Sequence, residues 1–270
     1  MSSIPRSLAR LLRRQTPAPI KYLRTPNVPI RTAQTEATPS ALENTPPPPS
    51  FQRQHAPQPG TQTATAAQTQ NTTDLTTHPI IQLLRQDPTL KETRPHLTMP
   101  AHLRPSHFVA GTLSGGTKLT SPPYMFLSRH APSQSAEDRV STGPRRSRAV
   151  TVFHTGRDMC GHPGYVHGGF LSVMFDEVFA HCVSQSFRSG TGMTANLNVD
   201  FRKPALPERV YVLKAETVKV EGRKAWVEGV MMMMPAKKTA SEDEAVLVAE
   251  ARALFIEPKF AESMVPVYRN

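Results

Sequence analysis

Cysteine is almost absent from this chain, with two in 270 residues, and glycine is scarce at 14. Two cysteines cannot staple a secreted mini-domain, and they suit a reducing compartment as well as any other. No apolar run approaches the roughly 18 residues that a helix needs to cross a bilayer, so no transmembrane segment is expected. Aromatics at 6% and hydrophobic residues at 38% are few for a chain that packs along its whole length. Glycine and proline follow no collagen period. Acid is missing from one end altogether, because the first carboxylate is Glu36.

Proline and positive charge are what the chain has in quantity. There are 27 prolines, and 32 Lys+Arg stand against 21 Asp+Glu for a net +11. Seven of the basic residues (Arg6, Arg10, Arg13, Arg14, Lys21, Arg24 and Arg31) precede Glu36. As a helix, Ser7 to Arg14 would place Leu8, Leu11 and Leu12 on one face and arginines on another. A basic, amphipathic, acid-free stretch fits a mitochondrial presequence over residues 1–35, a transit peptide addressed to the matrix. The other reading is a basic tail that touches RNA or anionic lipid. Removing these seven charges leaves 25 basic against 21 acidic residues, only +4. Nucleic acid is therefore not an expected partner, and no nucleic-acid module is present.

Residues 36–77 are rich in Thr, Gln and Pro, with Pro46 to Pro49 in a row and little that is large and apolar beyond Leu42, Phe51 and Leu75. Such a segment cannot bury enough surface to offset its ordering entropy, so it reads as a disordered linker. Thirteen of the 27 prolines precede Ile80, which confines the compositional anomaly to the N-terminal region. The folded domain is expected over residues 78–270, with its core at about 149–256.

Pro79 to Arg85 reads as a short helix with proline in its first turn. Phe108–Leu113, Tyr124–Leu127 and Ala149–Phe153 read as strands. A long helix from Gly168 to Ser186 is apolar nearly all round, through Phe170, Leu171, Val173, Met174, Phe175, Val178, Phe179 and Cys182, and must be buried. Four strands follow it: Thr194–Arg202, Arg209–Val220, Lys224–Met234 and Ala245–Ile256, the middle pair joined by a turn containing Gly222. Small residues alternate in the last of them (Ala249, Ala251, Ala253), which lets a helix lie close to the sheet. Met231 to Met234 are expected to alternate, two facing the core. An antiparallel sheet wrapped around one long central helix satisfies this pattern, an α+β fold.

The chemistry concentrates in His162–Glu177. Gly168 and Gly169 stand immediately before the apolar helix, where free N–H groups can receive an anion or a developing oxyanion. Asp176 lies two turns in, where an unpaired carboxylate is costly and so marks a functional candidate. Glu177 is about 100° further round and is expected to pair with a base. His154, Cys160, His162 and His167 match no zinc spacing, so no metal is assigned. Gly169-Phe170-Leu171-Ser172-Val173 is not a nucleophile elbow, which removes a serine hydrolase.

His167-Gly168-Gly169, six residues and then Asp176 on an apolar helix resemble the hotdog-fold thioesterase superfamily. The resemblance is to the phenylacetic-acid-pathway type and the mitochondrial long-chain acyl-CoA thioesterases. Met193–Pro204 and Val220–Val227 also resemble the latter. The resemblance implies a hotdog fold, hydrolysis of acyl-CoA thioesters without a cofactor, a place in lipid metabolism, and a homodimer or dimer of dimers. It implies Asp176 as nucleophile or general base, a Gly168 or Gly169 amide as oxyanion donor, and Thr194 as an aid in positioning water or the carboxylate. His167 either contacts the thioester or braces the turn. Arg202, Lys203, Arg223 and Lys224 are candidates for the CoA phosphates, with Asn196 as a further substrate contact. Some relatives carry an Asn before His-Gly-Gly, where this chain has Gly161 and His162.

Geometry bears on the dimer independently. Gly169 and Asp176 are separated by about 10 Å of helix at ~1.5 Å per residue, yet both should lie roughly 3 Å from one reacting group. The expected site therefore spans two subunits. The alternative reading is a weakly catalytic hotdog protein that binds acyl-CoA or a protein partner as a regulator.

Overall fold

The computed structural model describes residues 75–128, 147–236 and 245–264, all within one compact unit. The presequence reading and nearly all of the linker reading lie outside the described residues. Leu75, at the end of the segment read as linker, is buried, and Thr76 Oγ1 is hydrogen-bonded to the Tyr124 hydroxyl at 2.7 Å.

In chain order the elements begin with α1 (Pro79–Gln86), β1 (Leu90–Thr93) and the single turn α2 (Pro95–Thr98). Next come β2 (Tyr124–Ser128), β3 (Arg148–Thr155), the small hairpin β4 (Cys160–His162) and β5 (Tyr165–Val166), and the long helix α3 (Gly168–Ser184). Four strands complete the unit: β6 (Met193–Phe201), β7 (Arg209–Glu221), β8 (Lys224–Met233) and β9 (Val246–Ile256). Seven strands form one sheet in the order β1-β2-β3-β7-β8-β9-β6, with every neighbouring pair antiparallel. The sheet wraps α3, which is the hotdog arrangement.

The two faces of the sheet are covered differently. On the inner face α3 buries Phe170, Leu171, Met174, Phe175, Val178, Phe179, Cys182 and Val183. Ala249, Ala251 and Ala253 on β9 receive it, and a Cβ on Gly229 of β8 would stand 2.6 Å from the Phe179 ring. Small residues there let helix and sheet approach closely. On the outer face α1 packs Ile80, Ile81, Leu83 and Leu84 against Tyr124, Phe126, Val150, Val152 and Val212. His78 Nδ1 accepts the Ile80 amide at 3.3 Å to open this helix, and Pro79 supplies a fixed φ. β3 shows the period of two directly: Ala149 and Phe153 join the inner cluster, Val150 and Val152 the outer one.

One reading needs correction. Phe108–Thr112 is a helical turn rather than a strand. His107 Nδ1 accepts the Ala110 amide at 3.0 Å, and Gly111 passes so close to the Arg104 carbonyl that a side chain would not fit. That side-chain cap outweighs the local β-propensity of Phe108 and Val109. The methionines do alternate: Met231 and Met233 join the inner cluster, while Met234, just past β8, is buried in the outer one. β1 was not anticipated. It pairs with β2 through Leu90–Thr93, a segment with one apolar residue.

Between β1 and β2 the chain leaves the sheet as a strap, residues 94–123, and crosses one flank of α3. Arg94 ties the ends of the strap together, donating to the Pro123 carbonyl at 3.1 Å and the Pro122 carbonyl at 2.9 Å. Its guanidinium also lies 3.5 Å from the Tyr124 ring centroid, a cation–π contact. Val109 and Leu119 of the strap enter the inner core.

Candidate active site

The start of α3 is shaped by His167. Its backbone is extended, its carbonyl accepts the Phe170 and Leu171 amides, and its Nδ1 accepts the Gly169 amide at 2.8 Å. Two of these bonds, from Gly169 and Phe170, use amides that a helix N-terminus leaves open, and the Leu171 amide makes the first regular helix bond. The amide of Gly168 has no partner among the described residues, so of the two glycines it is Gly168 that offers a donor to an oxyanion. The His167 ring is held between glycines: a Cβ on Gly161 would overlap it, and a Cβ on Gly169 would lie 2.8 Å from Nδ1. Gly161 therefore stands where the ring needs room. Phe201, at the end of β6, approaches Gly168 so closely that a Cβ there would be 3.1 Å from the phenyl ring.

Asp176 sits eight residues further along, about 12 Å of helix, and is half-buried. Thr194 Oγ1 donates to Asp176 Oδ1 at 2.6 Å. That leaves Oδ2 to face a water or an acyl carbon. Thr194 belongs to β6, which ends the sheet and pairs only with β9. Met193, Thr194, Asn196 and Phe201 are exposed along it, so both its surface and its outer edge are open among the described residues.

The basic candidates do not form one group within the chain. Arg202 is paired with Glu250 at 2.7 Å and Asp200 at 3.5 Å, beside the exposed Lys203. Arg223 donates to the Glu257 carbonyl at 2.8 Å, and the exposed Lys224 is registered with Ile256. Phe201 is registered with Ala249, seven residues away along β9, so the two pairs are roughly 24 Å apart at ~3.4 Å per residue.

Glu177 has a base for a partner, though from an unexpected quarter. Its Oε1 lies 3.0 Å from His96 Nε2 on the strap and 3.8 Å from His181 Nε2 on its own helix. Burial works against the charge on Glu177, but His181 and His96 more than offset it and hold the carboxyl well below the usual carboxylate range. The His107 ring is tilted against that of His96 with centroids 5.8 Å apart, and burial pushes its pKa down. One ligand atom from each of His96, His107 and Glu177 lies within 4.8 Å of the others, a donor set that could hold a cation. The hydrogen bond that His107 Nδ1 accepts argues against this use. In the neutral ring the proton then sits on Nε2, which becomes a donor rather than a metal-ligating lone pair. Sequence reading missed His96 and His107, since nothing in their spacing links them to a glutamate 81 residues past His96.

Comparison with known proteins finds a match to the thioesterase superfamily within the chain. Residues 163–232 match that family, spanning the start of α3, Asp176, Thr194 and the β7–β8 hairpin. An uncharacterised protein of Schizosaccharomyces pombe is 37% identical over 110 residues, 41% of this chain and 60% of that protein. The Acyl-coenzyme A thioesterase THEM4 of Rattus norvegicus is 38% identical over 109 residues, 40% of this chain and 43% of its own length. The thioesterase-like match thus spans less than two thirds of either relative. A Candida albicans protein named as mitochondrial is 25% identical over 66% of this chain and 71% of its own. Among solved structures, the E. coli PaaI protein from the phenylacetic acid degradation operon is 16% identical, covering 41% of this chain and 72% of that one at a TM-score of 0.35. Among the described residues no helix is long and apolar enough to cross a membrane.

Proposed function

We propose that this protein hydrolyses acyl-CoA thioesters to a free acid and CoA, without a cofactor, as a homodimer whose two active sites each draw on both subunits. The observation that carries this is the 2.6 Å contact between Thr194 Oγ1 and Asp176 Oδ1, on a helix whose Gly168 amide is left open. The thioester carbonyl polarises against the Gly168 N–H at the positive end of α3. Asp176 attacks the carbonyl carbon or takes a proton from the attacking water, while Thr194 fixes which carboxylate oxygen is used. The tetrahedral intermediate collapses with release of CoA thiolate, which gains a proton from solvent; where Asp176 was the nucleophile, water then hydrolyses the acyl–Asp176 anhydride, releasing the acid and restoring the carboxylate. His167 braces the turn through the Gly169 amide, and Asn196 lies on the exposed strand beside the substrate path.

The second subunit enters because Gly168 and Asp176 of one helix are too far apart to meet at one carbon. The open edge of β6 next to Thr194 is the surface through which a second copy would bring its own helix start. In such a pair the basic residues just past β6, Arg202 and Lys203, and those at the β7–β8 turn, Arg223 and Lys224, can serve the CoA phosphates from different chains. The mitochondrial address proposed for residues 1–35 is supported by the printed name of the Candida relative.

The test is an acyl-CoA panel of increasing chain length, with released thiol followed in wild type and Asp176→Asn. Hydrolysis by wild type that is lost in the variant supports the proposal. Binding of acyl-CoA without turnover in either would make the protein a regulator, and full activity in a monomer would remove the shared site.

A further inference from the structure

Asp176 and Glu177 are consecutive on α3 and are held from different sides. Asp176 meets Thr194 of the last strand in the sheet; Glu177 meets His96 at 3.0 Å, with His181 at 3.8 Å. The histidine side of this arrangement is built with some care. Pro95 opens the turn that presents His96, which is only 7% exposed, and His107 caps the next turn through the Ala110 amide. Arg104 joins the two turns by donating to the Leu97 and Met99 carbonyls at 2.7 and 3.1 Å. Arg94 locks the base of the strap to Pro122 and Pro123. All of this converges on one carboxylate that the proposed chemistry does not use.

We propose that Glu177 is a positioning residue: by fastening the strap to one flank of α3 through His96, with His181 of the same helix beside the carboxylate, it fixes the rotation of the helix and so the aim of Asp176 at Thr194. The two residues are about 100° apart on the helix, so a pin on one sets the direction of the other. A helix held only by apolar contacts can settle with small changes of phase, because such contacts are not directional. A carboxylate held at 3.0 Å by a histidine of another element cannot. Val109 and Leu119 of the strap enter the core around α3, where they seal it without setting an angle. The inference rests on the proposed hydrolysis, since it concerns how well Asp176 is placed for it.

The experiment compares wild type, Glu177→Gln and His96→Ala in the full-length protein, all assayed well below their melting temperatures. The expected result is a fall in kcat of about tenfold or more with KM within about twofold of wild type. The acid limb of the kcat–pH profile should also move, because it reports the surroundings of Asp176. Amides of residues 95–112 should exchange hydrogen faster in both variants. His96→Ala keeps the carboxylate and serves as the deciding variant where Glu177→Gln does not fold. A folded variant with wild-type kcat and an unmoved pH profile overturns the inference while leaving the hydrolysis standing. A wild type that hydrolyses no acyl-CoA removes the functional reading itself. One equivalent of zinc on purified wild type, lost in Glu177→Gln, would overturn the positioning role in favour of a metal site.

Discussion

The two flanks of α3 treat neighbouring carboxylates in opposite ways. On the β6 flank, Asp176 is half-buried and has a single hydroxyl for company, on a strand that is exposed along most of its length. On the strap flank, Glu177 is enclosed by histidines and pinned to a segment that is itself tied down by Arg94 and Arg104. Asp176 has Thr194 on Oδ1 alone, whereas Glu177 shares its Oε1 between His96 and His181. The difference teaches that burial of charge on an apolar helix does not by itself identify the reacting group. What identifies it is how few partners the group has and whether a substrate can reach it.

The largest separation between the flanks should appear in rate. Asp176→Asn is expected to lower kcat by about 10²–10⁴-fold with little change in melting temperature, since the variant keeps the size of the side chain and an acceptor for Thr194. Next comes Thr194→Val, which removes an exposed hydrogen bond that aims Asp176 but that water can replace in the fold. It should cost roughly 10–100-fold in kcat/KM while thermal stability stays close to wild type. On the opposite flank the order reverses. His96→Ala should be seen first in a thermal melt, as a loss of about 1–3 kcal/mol from an under-satisfied buried carboxylate, or roughly 2–9 °C for a domain of this size. If Thr194→Val proved to unsettle the fold more than His96→Ala, the contrast between the flanks would collapse.

The smallest expected effect is on the pH dependence of the strap. Burial lowers the pKa of His107, so the fold favours the neutral ring that caps Ala110. The unfolded chain takes up this proton first, near the ordinary histidine value of about 6.5. The contribution is thus complete above that pH and is lost as pH falls through it toward the lowered folded value. Local stability of residues 107–112, read by hydrogen exchange, should fall between about pH 7 and 5. His107→Asn, whose side-chain oxygen can still cap the turn, should flatten that slope.

Much of the scaffold was legible because its local signals agree with its packing. The β7–β8 hairpin is written in two alternating strands around Gly222, whose φ of 53° suits glycine. α3 was legible because no polar stripe runs down it, and the alanines of β9 show where it lies. The strap was not legible, for an equally physical reason. Phe108 to Leu113 has the composition of a strand, and only the His107 ring and the close pass of Gly111 at Arg104 turn it into a helical turn. Asp176, Gly168 and Thr194 could be named from the motif they share with a family. The contact of His96 with Glu177 joins residues 81 positions apart, and no periodicity announces such a pair.

The ends of the sheet differ in a way that bears on how many copies can join. β1 is four residues long, carries Lys91 outward, and has Glu92 engaged by Arg85 at 2.7 Å. β6 is nine residues long and open. In the language of polymer chemistry the described sheet is monofunctional in strand pairing, with one open end and one blunted end. In the proposed dimer, edge-to-edge addition through β6 would therefore terminate after a single step, and the strand that completes a second site would also keep the sheet from propagating into a fibre.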